Sequence, residues 1–146
     1  MEKMTVSCVI EILGKPKEHV ADSLKTLVDK IASEKGMLLK EKKLHEPIQV
    51  KESTLFTSFA ELTIELDSAF NLFGLVFGYL PSNIEVISPE KFSFSNQDLT
   101  EIATRISQRL HEYDGLTKHA LADRNLFLQK LREVAPDVAQ SLFKKT

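Results

Sequence analysis

Four histidines, one cysteine and the acidic residues near them are the groups in this 146-residue chain with which chemistry could be done. His119 and Asp123 stand four apart, so a helix would turn both to one side, the spacing at which imidazole and carboxylate hold a divalent metal. A site needs a third ligand. His111, eight residues before His119, would lie about 80° round the helix, and no HExxH pattern or carboxylate-rich loop completes the set. His111 with Glu112, His19 with Asp22 and His45 with Glu46 read as surface histidines with local ion pairs. No metal site is expected, and an enzyme built on His45, His111 or His119 has no motif behind it.

Nucleophilic catalysis needs a base and an orienting group beside a Ser, Cys or Thr, and no GxSxG elbow is present. Cys8 falls on the apolar side of an alternating stretch, where desolvation raises a thiol pKa and leaves it inert. The five glycines, at 14, 36, 74, 78 and 115, form neither GxGxxG nor a GxxxxGK[ST] phosphate loop. Gly74 and Gly78 are spaced GxxxG within NLFGLVFGYL, a run too short for a membrane span, which suggests close helix-to-sheet packing. No cofactor is expected.

Composition narrows the classes further. With 42% hydrophobic and 27% charged residues the chain is an ordinary globular protein with a core to bury. Its net charge of −2 gives no general attraction for nucleic acid or anionic membrane. A single cysteine makes no internal disulfide, and the opening MEKMTVSCVIEIL is neither a signal peptide nor a membrane span, so a cytoplasmic protein is expected.

The elements that must position any site follow from periodicity. Met4, Val6, Cys8, Ile10 and Ile12 alternate along a strand that Gly14 and Pro16 close. Pro16 suits a helical first turn, and Val20, Leu24, Leu27, Val28 and Ile31 continue at helical spacing until Gly36. MLLKEKKLHEPIQV reads as a charge-rich edge strand ending near Pro47, with Leu38 and Leu44 opposite Leu39. From 55 to 66 alternation puts Phe56, Ala60, Leu62, Ile64 and Leu66 on one face and Thr57, Phe59, Glu61, Thr63 and Glu65 on the other. Ser68 is placed to cap a second helix that Pro81 stops, and Asn83 to Ser88 form a last short strand. The order βαββαβ is that of a ferredoxin-like α+β sandwich over residues 1–94, with one sheet face under two helices. Its open face would carry Val9, Thr57, Phe59 and Glu61. An RNA-binding sheet of this topology needs a basic frame and paired aromatics; here Phe59 is the single aromatic, beside Glu11, Glu61 and Glu65, so nucleic acid is not an expected partner.

Residues 95–146 differ. Ser95 and Asp98 form a capping-box-like start. Leu99, Ile106, Tyr113, Ala120, Phe127 and Val134 recur every seven residues, accompanied by Ile102, Leu110, Leu116 and Leu131. Arg109, Asp123 and Lys130 interrupt the companion positions, and Asp114-Gly115 either sits within one helix or turns the chain into a helical hairpin. Unbroken, residues 96–134 make a rod about 58 Å long, with Pro136 starting a last short helix. The segment 1–95 carries a net charge of −3 and the tail +1; all four arginines, Arg105, Arg109, Arg124 and Arg132, are in the tail, suited to ion pairs across helix interfaces.

The stretch from Phe59 to Asp114, with IEVISPE over Ile84 to Glu90 followed by a helix, resembles the C-terminal extension of WYL-type bacterial regulators. No WYL-type ligand domain or DNA-binding domain precedes it, so the resemblance implies only a ferredoxin-like module used for association or for small-molecule sensing in the manner of ACT modules. The expected function is a non-enzymatic interaction or scaffold protein, homodimeric through Leu99, Ile102, Ile106, Leu110, Tyr113, Ala120, Phe127, Leu131 and Val134. The alternative is an ACT-like ligand-sensing module with its pocket at the open sheet face or a dimer seam. A further protein partner is compatible with either.

Overall fold

The computed structural model describes residues 3–143 and confirms an α+β fold. The elements run β1 (Met4–Gly14), α1 (Lys17–Ser33), β2 (Met37–Leu44), β3 (Ile48–Gln49), β4 (Phe56–Leu66), α2 (Ala69–Tyr79), β5 (Asn83–Ser88), α3 (Asn96–Val134) and α4 (Pro136–Phe143). The sheet order is β2-β4-β1-β5, with β3 also pairing β4. Every pairing is antiparallel, as in a ferredoxin-like sandwich. The chain divides into two compact units, Met1–Leu99 and Thr100–Thr146.

In the first unit the alternating residues dictate the layers. Val6, Cys8 and Ile10 of β1 and Ala60, Leu62, Ile64 and Leu66 of β4 are buried, as are Val20, Leu24, Val28 and Ile31 of α1, spaced four, four and three apart along one helical face. The long β1–β4 ladder sets Met4 opposite Leu66 and Gly14 opposite Phe56, so each buried residue of β1 faces a core-side residue of β4. Pro16 occupies the N-cap of α1 rather than its first turn, and its carbonyl accepts the Val20 N–H at 3.1 Å. Ser68 likewise stands at the N-cap of α2 but makes no side-chain capping bond; its carbonyl accepts from Asn71 instead. Leu80, in the left-handed conformation with φ 48°, closes α2 by donating its N–H to the Val76 carbonyl.

Two local expectations are corrected, and one hairpin appears that the sequence did not announce. Leu38 and Leu44 do not share a face: the ladder shifts between Leu39 and Glu41, so Leu39 pairs with Ile64 and Leu44 with Ala60, both on the helix side, while Leu38 pairs with Glu65 on the other. One extra residue, Lys40, reverses the phase of the rest of the strand. The segment before Phe56 is a hairpin, β3 to β4, whose turn places Glu52 at φ 56° and carries the Val50 N–H to the Leu55 carbonyl at 2.9 Å. KEST contains none of the Gly, Asn or Asp residues that announce such a turn. Gly74 and Gly78 are exposed; a Cβ on Gly78 would meet nothing within 4 Å, so it brings α2 no closer to the sheet, and one on Gly74 would lie at an ordinary 3.7 Å from Met37 Cε of β2, so the lack of a side chain there is not what lets the helix approach.

In the second unit α3 runs unbroken through Asp114-Gly115, which removes the hairpin alternative. Glycine here costs about 1 kcal/mol against alanine, but its neighbours hold the turn. Lys118 pairs with Asp114 at 2.6 Å, and the Thr117 hydroxyl donates to the Tyr113 carbonyl at 2.8 Å. At the start of α3 the capping box forms with Asp in place of Glu: the Asp98 N–H donates to Ser95 Oγ at 3.1 Å, and the Ser95 hydroxyl and N–H both donate to Asp98 Oδ2. These bonds hold the Asp98 carboxyl below its ordinary pKa. Pro136 begins α4, as the missing N–H of proline allows at a helix start.

Candidate functional site

Two surfaces concentrate side chains with something to offer a partner. The first is the sheet face opposite α1 and α2. Its centre is built around His45, immediately after β2, whose backbone is clamped on both sides: its N–H donates to the Phe59 carbonyl at 2.9 Å and its carbonyl accepts the Ser58 hydroxyl at 2.6 Å. Ser58 is the one buried polar side chain among the described residues, and this bond satisfies it. So held, the His45 ring stacks on Phe59 at 4.1 Å between centroids and 18° between planes, and Nε2 lies 2.7 Å from Glu61 Oε2. His45 thus pairs with a residue sixteen positions away rather than with Glu46. Its ring occupies the Phe59 face on which a base would have to stack.

The other expected residues of this face are brought together by the ladder. Val9 stands opposite Glu61, Glu11 opposite Phe59 and Leu13 opposite Thr57. Thr57 Oγ1 donates to Glu11 Oε1 at 2.8 Å. Glu61 also has Lys43 at 3.9 Å, and its carboxyl is held below the ordinary range, chiefly by the His45 hydrogen bond. Glu65 receives Lys3 at 2.9 Å and Lys40 at 3.4 Å and is lowered for the same kind of reason, Lys3 first. The acidic strip anticipated from Glu61 and Glu65 is therefore an alternation of paired charges. Lys40 and Lys43 reach it because of the irregularity in β2, which no sequence spacing announces.

The second surface is the apolar stripe of α3. Leu99, Leu110, Phe127 and Val134 are exposed, Phe127 at 69% and Val134 at 78%, and Leu116 between them stands at 67%. Ala120 is also exposed, while Ile106, Tyr113 and Leu131 are half-buried. Ile102 departs from the expectation. At 6% exposure it is buried, unlike its neighbours on the stripe. The polar residues of α3 engage along the helix: Arg105 with Glu101 at 2.7 Å, Arg109 with Glu112 at 2.8 Å and Lys130 with Glu133 at 3.0 Å. Arg109 also lies over the Tyr113 ring, 5.3 Å from its centroid. Arg105 and Arg109, expected to pair across an interface, are thus tied up by their own helix in pairs worth about 0.2–0.5 kcal/mol each.

The remaining chemical candidates stay apart. Cys8 is buried and free, and desolvation pushes its thiol up to about 11. His111, His119 and Asp123 are all exposed on α3, and the His19 ring lies 3.5 Å from the Ser23 hydroxyl. Among the described residues no three His, Cys, Asp or Glu side chains gather where one ion could be held, and no helix is long and apolar enough to cross a membrane.

A family model matches residues 5–126, from β1 through most of α3. The chain belongs to the MJ0538 family. The match runs from β1 through the sheet and both packing helices into α3 as far as Leu126. No curated protein matches the chain.

Proposed function

We propose that this MJ0538-family protein is a non-enzymatic scaffold that forms a homodimer through α3. The observation that carries the reading is the exposure of large apolar side chains at repeating positions of one 39-residue helix: Leu99, Leu110, Leu116, Phe127 and Val134. Contiguous apolar stripes of this length mark association surfaces in soluble proteins. A fully buried Leu or Phe contributes about 1.5–3 kcal/mol. Ten such side chains in a pair of helices, even partly covered, supply enough to exceed the about 4–15 kcal/mol lost in association. The buried Cys8 and the lack of any disulfide among the described residues suit the reducing cytoplasm, where we place the protein. Mass by light scattering after size exclusion tests the dimer. The full chain should weigh twice 16.5 kDa, and the double substitution Ile106→Asp/Phe127→Asp should weigh once that with its circular dichroism retained. A wild-type monomer, or a double variant that stays dimeric, would remove the proposal.

A second reading has its own support in the His45, Phe59 and Glu61 cluster on the sheet face. Together with the resemblance to the extension of WYL-type regulators, it favours a ligand-sensing role in the ACT manner. Binding to the folded state must raise thermal stability, so a metabolite library that leaves the melting temperature unmoved would dismiss it.

A further inference from the structure

The charges of α3 are distributed unevenly about its midpoint, Gly115. Residues 96–115 hold Asp98, Glu101, Glu112 and Asp114 against Arg105 and Arg109, a net charge of −2. Residues 116–134 hold Lys118, Arg124, Lys130 and Arg132 against Asp123 and Glu133, a net charge of +2. A second copy laid in parallel register would set each half on a half of the same sign. Reversed, it sets each half on its opposite.

We infer that the partner of α3 is a second copy of α3 running antiparallel across its full length, an inference that rests on the self-association proposed above. Aligning the two helices end to end brings residue pairs whose numbers sum to 230 level with each other. Asp98 then stands level with the partner's Arg132 and Glu112 with the partner's Lys118, so opposite charges meet near the ends and near the middle. Along the stripe, Leu99 meets the partner's Leu131, Phe127 the partner's Ala103 and Leu110 the partner's Ala120. In the last two pairs a large side chain meets a small one, the alternation that fills a helix interface without voids, while Leu99 and Leu131 meet as apolar equals. Parallel register would set Phe127 against Phe127 and Ala120 against Ala120, crowding one layer and emptying another. Antiparallel alignment also opposes the two helix macrodipoles. Because the −2 and +2 halves attract through partly screened solvent, the pairing should weaken as salt rises.

The test is the separation of spin labels in the full-length protein, carried on Gln97→Cys or Gln129→Cys. Both glutamines are exposed and lie off the apolar stripe, and Cys8 is buried from the label. Antiparallel helices at 1.5 Å per residue place the two Gln97→Cys backbones about 54 Å apart and the two Gln129→Cys backbones about 42 Å apart. Parallel helices would hold both pairs at one short distance, set by a helix diameter of about 10–12 Å and the reach of the labels. Two long and unequal distances support the inference. A dimer with two short, equal distances overturns it while leaving self-association in place. A chain of monomer mass, or a dimer that survives Ile106→Asp/Phe127→Asp, overturns both.

Discussion

Replacing Gly36 with alanine tests how the fold positions β2, and through it Lys40, Lys43 and His45. Gly36 sits at φ +81°, and a Cβ there would lie 2.2 Å from Asn71 Nδ2 and 3.0 Å from Asn71 Cγ. The left-handed conformation costs a non-glycine residue about 1–2 kcal/mol. The Asn71 amide must also swing away, forfeiting the hydrogen bond it donates to the Gly36 carbonyl at 3.0 Å, worth about 0.5–1.5 kcal/mol. That carbonyl keeps its bond from the Asp67 N–H at 3.0 Å, so it is not orphaned. Against these losses, alanine restricts the unfolded chain and returns about 0.4–1 kcal/mol. The net is a destabilisation of about 2 kcal/mol, a sizeable share of a domain stability of about 5–15 kcal/mol. Urea unfolding should show an earlier midpoint with unchanged slope, and the melting temperature should fall by about 8–16 °C. Removing the obstructing amide separates the two contributions: Gly36→Ala/Asn71→Ala should cost less than its single variants added together. A Gly36→Ala stability within about 0.5 kcal/mol of the parent, or strict additivity in the double variant, would refute the reasoning.

Other parts of the structure give further expectations. Ser95→Ala removes the capping box and should fray the first turn of α3 at a cost of about 1 kcal/mol, read as faster amide exchange at Leu99 and its neighbours and a rise in the Asp98 pKa. Ser58→Val removes the hydrogen bond that Ser58 donates to the His45 carbonyl and should destabilise by about 0.5–1.5 kcal/mol, with the His45 ring losing its ordered position over Phe59 in NMR spectra. The Glu65 carboxyl should titrate below the ordinary glutamate range by NMR because of its Lys3 hydrogen bond, and Lys3→Ala should move it back upward. Because its folded value is depressed, the stability it supplies is complete above the unfolded value and disappears as pH falls through the folded one. Cys8, with a thiol pushed up to about 11, should resist alkylation at pH 8 in the folded protein and react promptly in guanidinium. Equal rates in the two states would mean the first strand opens readily.

Much of the framework was legible because it is written in periods. Alternation marked β1 and β4, and helical spacing marked α1, since each of these elements buries one face against a single layer; β5 was marked by Ile84, Val86 and Pro89, although its ladder with β1 shifts at Ile87 and its side chains stay largely exposed. The seven-residue recurrence marked α3, and the choice between rod and hairpin was the one matter it left open at Asp114-Gly115. That choice turns on energies of about 1 kcal/mol, which local ion pairs such as Asp114 with Lys118 are enough to tilt. What was not legible lies where one residue resets a phase or where a turn lacks its customary residues. Lys40 shifts β2, and Glu52 takes the left-handed position that Gly or Asn would ordinarily hold.

The candidate sheet site follows from that same shift. Read as an unbroken alternation, β2 puts Leu38 and Leu44 on one face and leaves Lys43 on the other side from Lys40. With the shift after Leu39, Lys43 stands opposite Glu61, Lys40 bonds Glu65, and His45 follows directly into its place over Phe59. A histidine whose neighbour in sequence is Glu46 is thereby joined to Glu61 instead, and a strip of carboxylates becomes a set of ion pairs. These pairs neutralise the face without burying it, so it offers a partner shape and one aromatic stack rather than net charge. The stripe of α3 differs in kind: most of its large apolar residues are exposed and its charges are separated toward opposite ends, and the reversed second copy proposed above would satisfy both properties. The two surfaces therefore differ in what they offer a partner: large exposed apolar side chains on the helix, and paired charges with one aromatic stack on the sheet face.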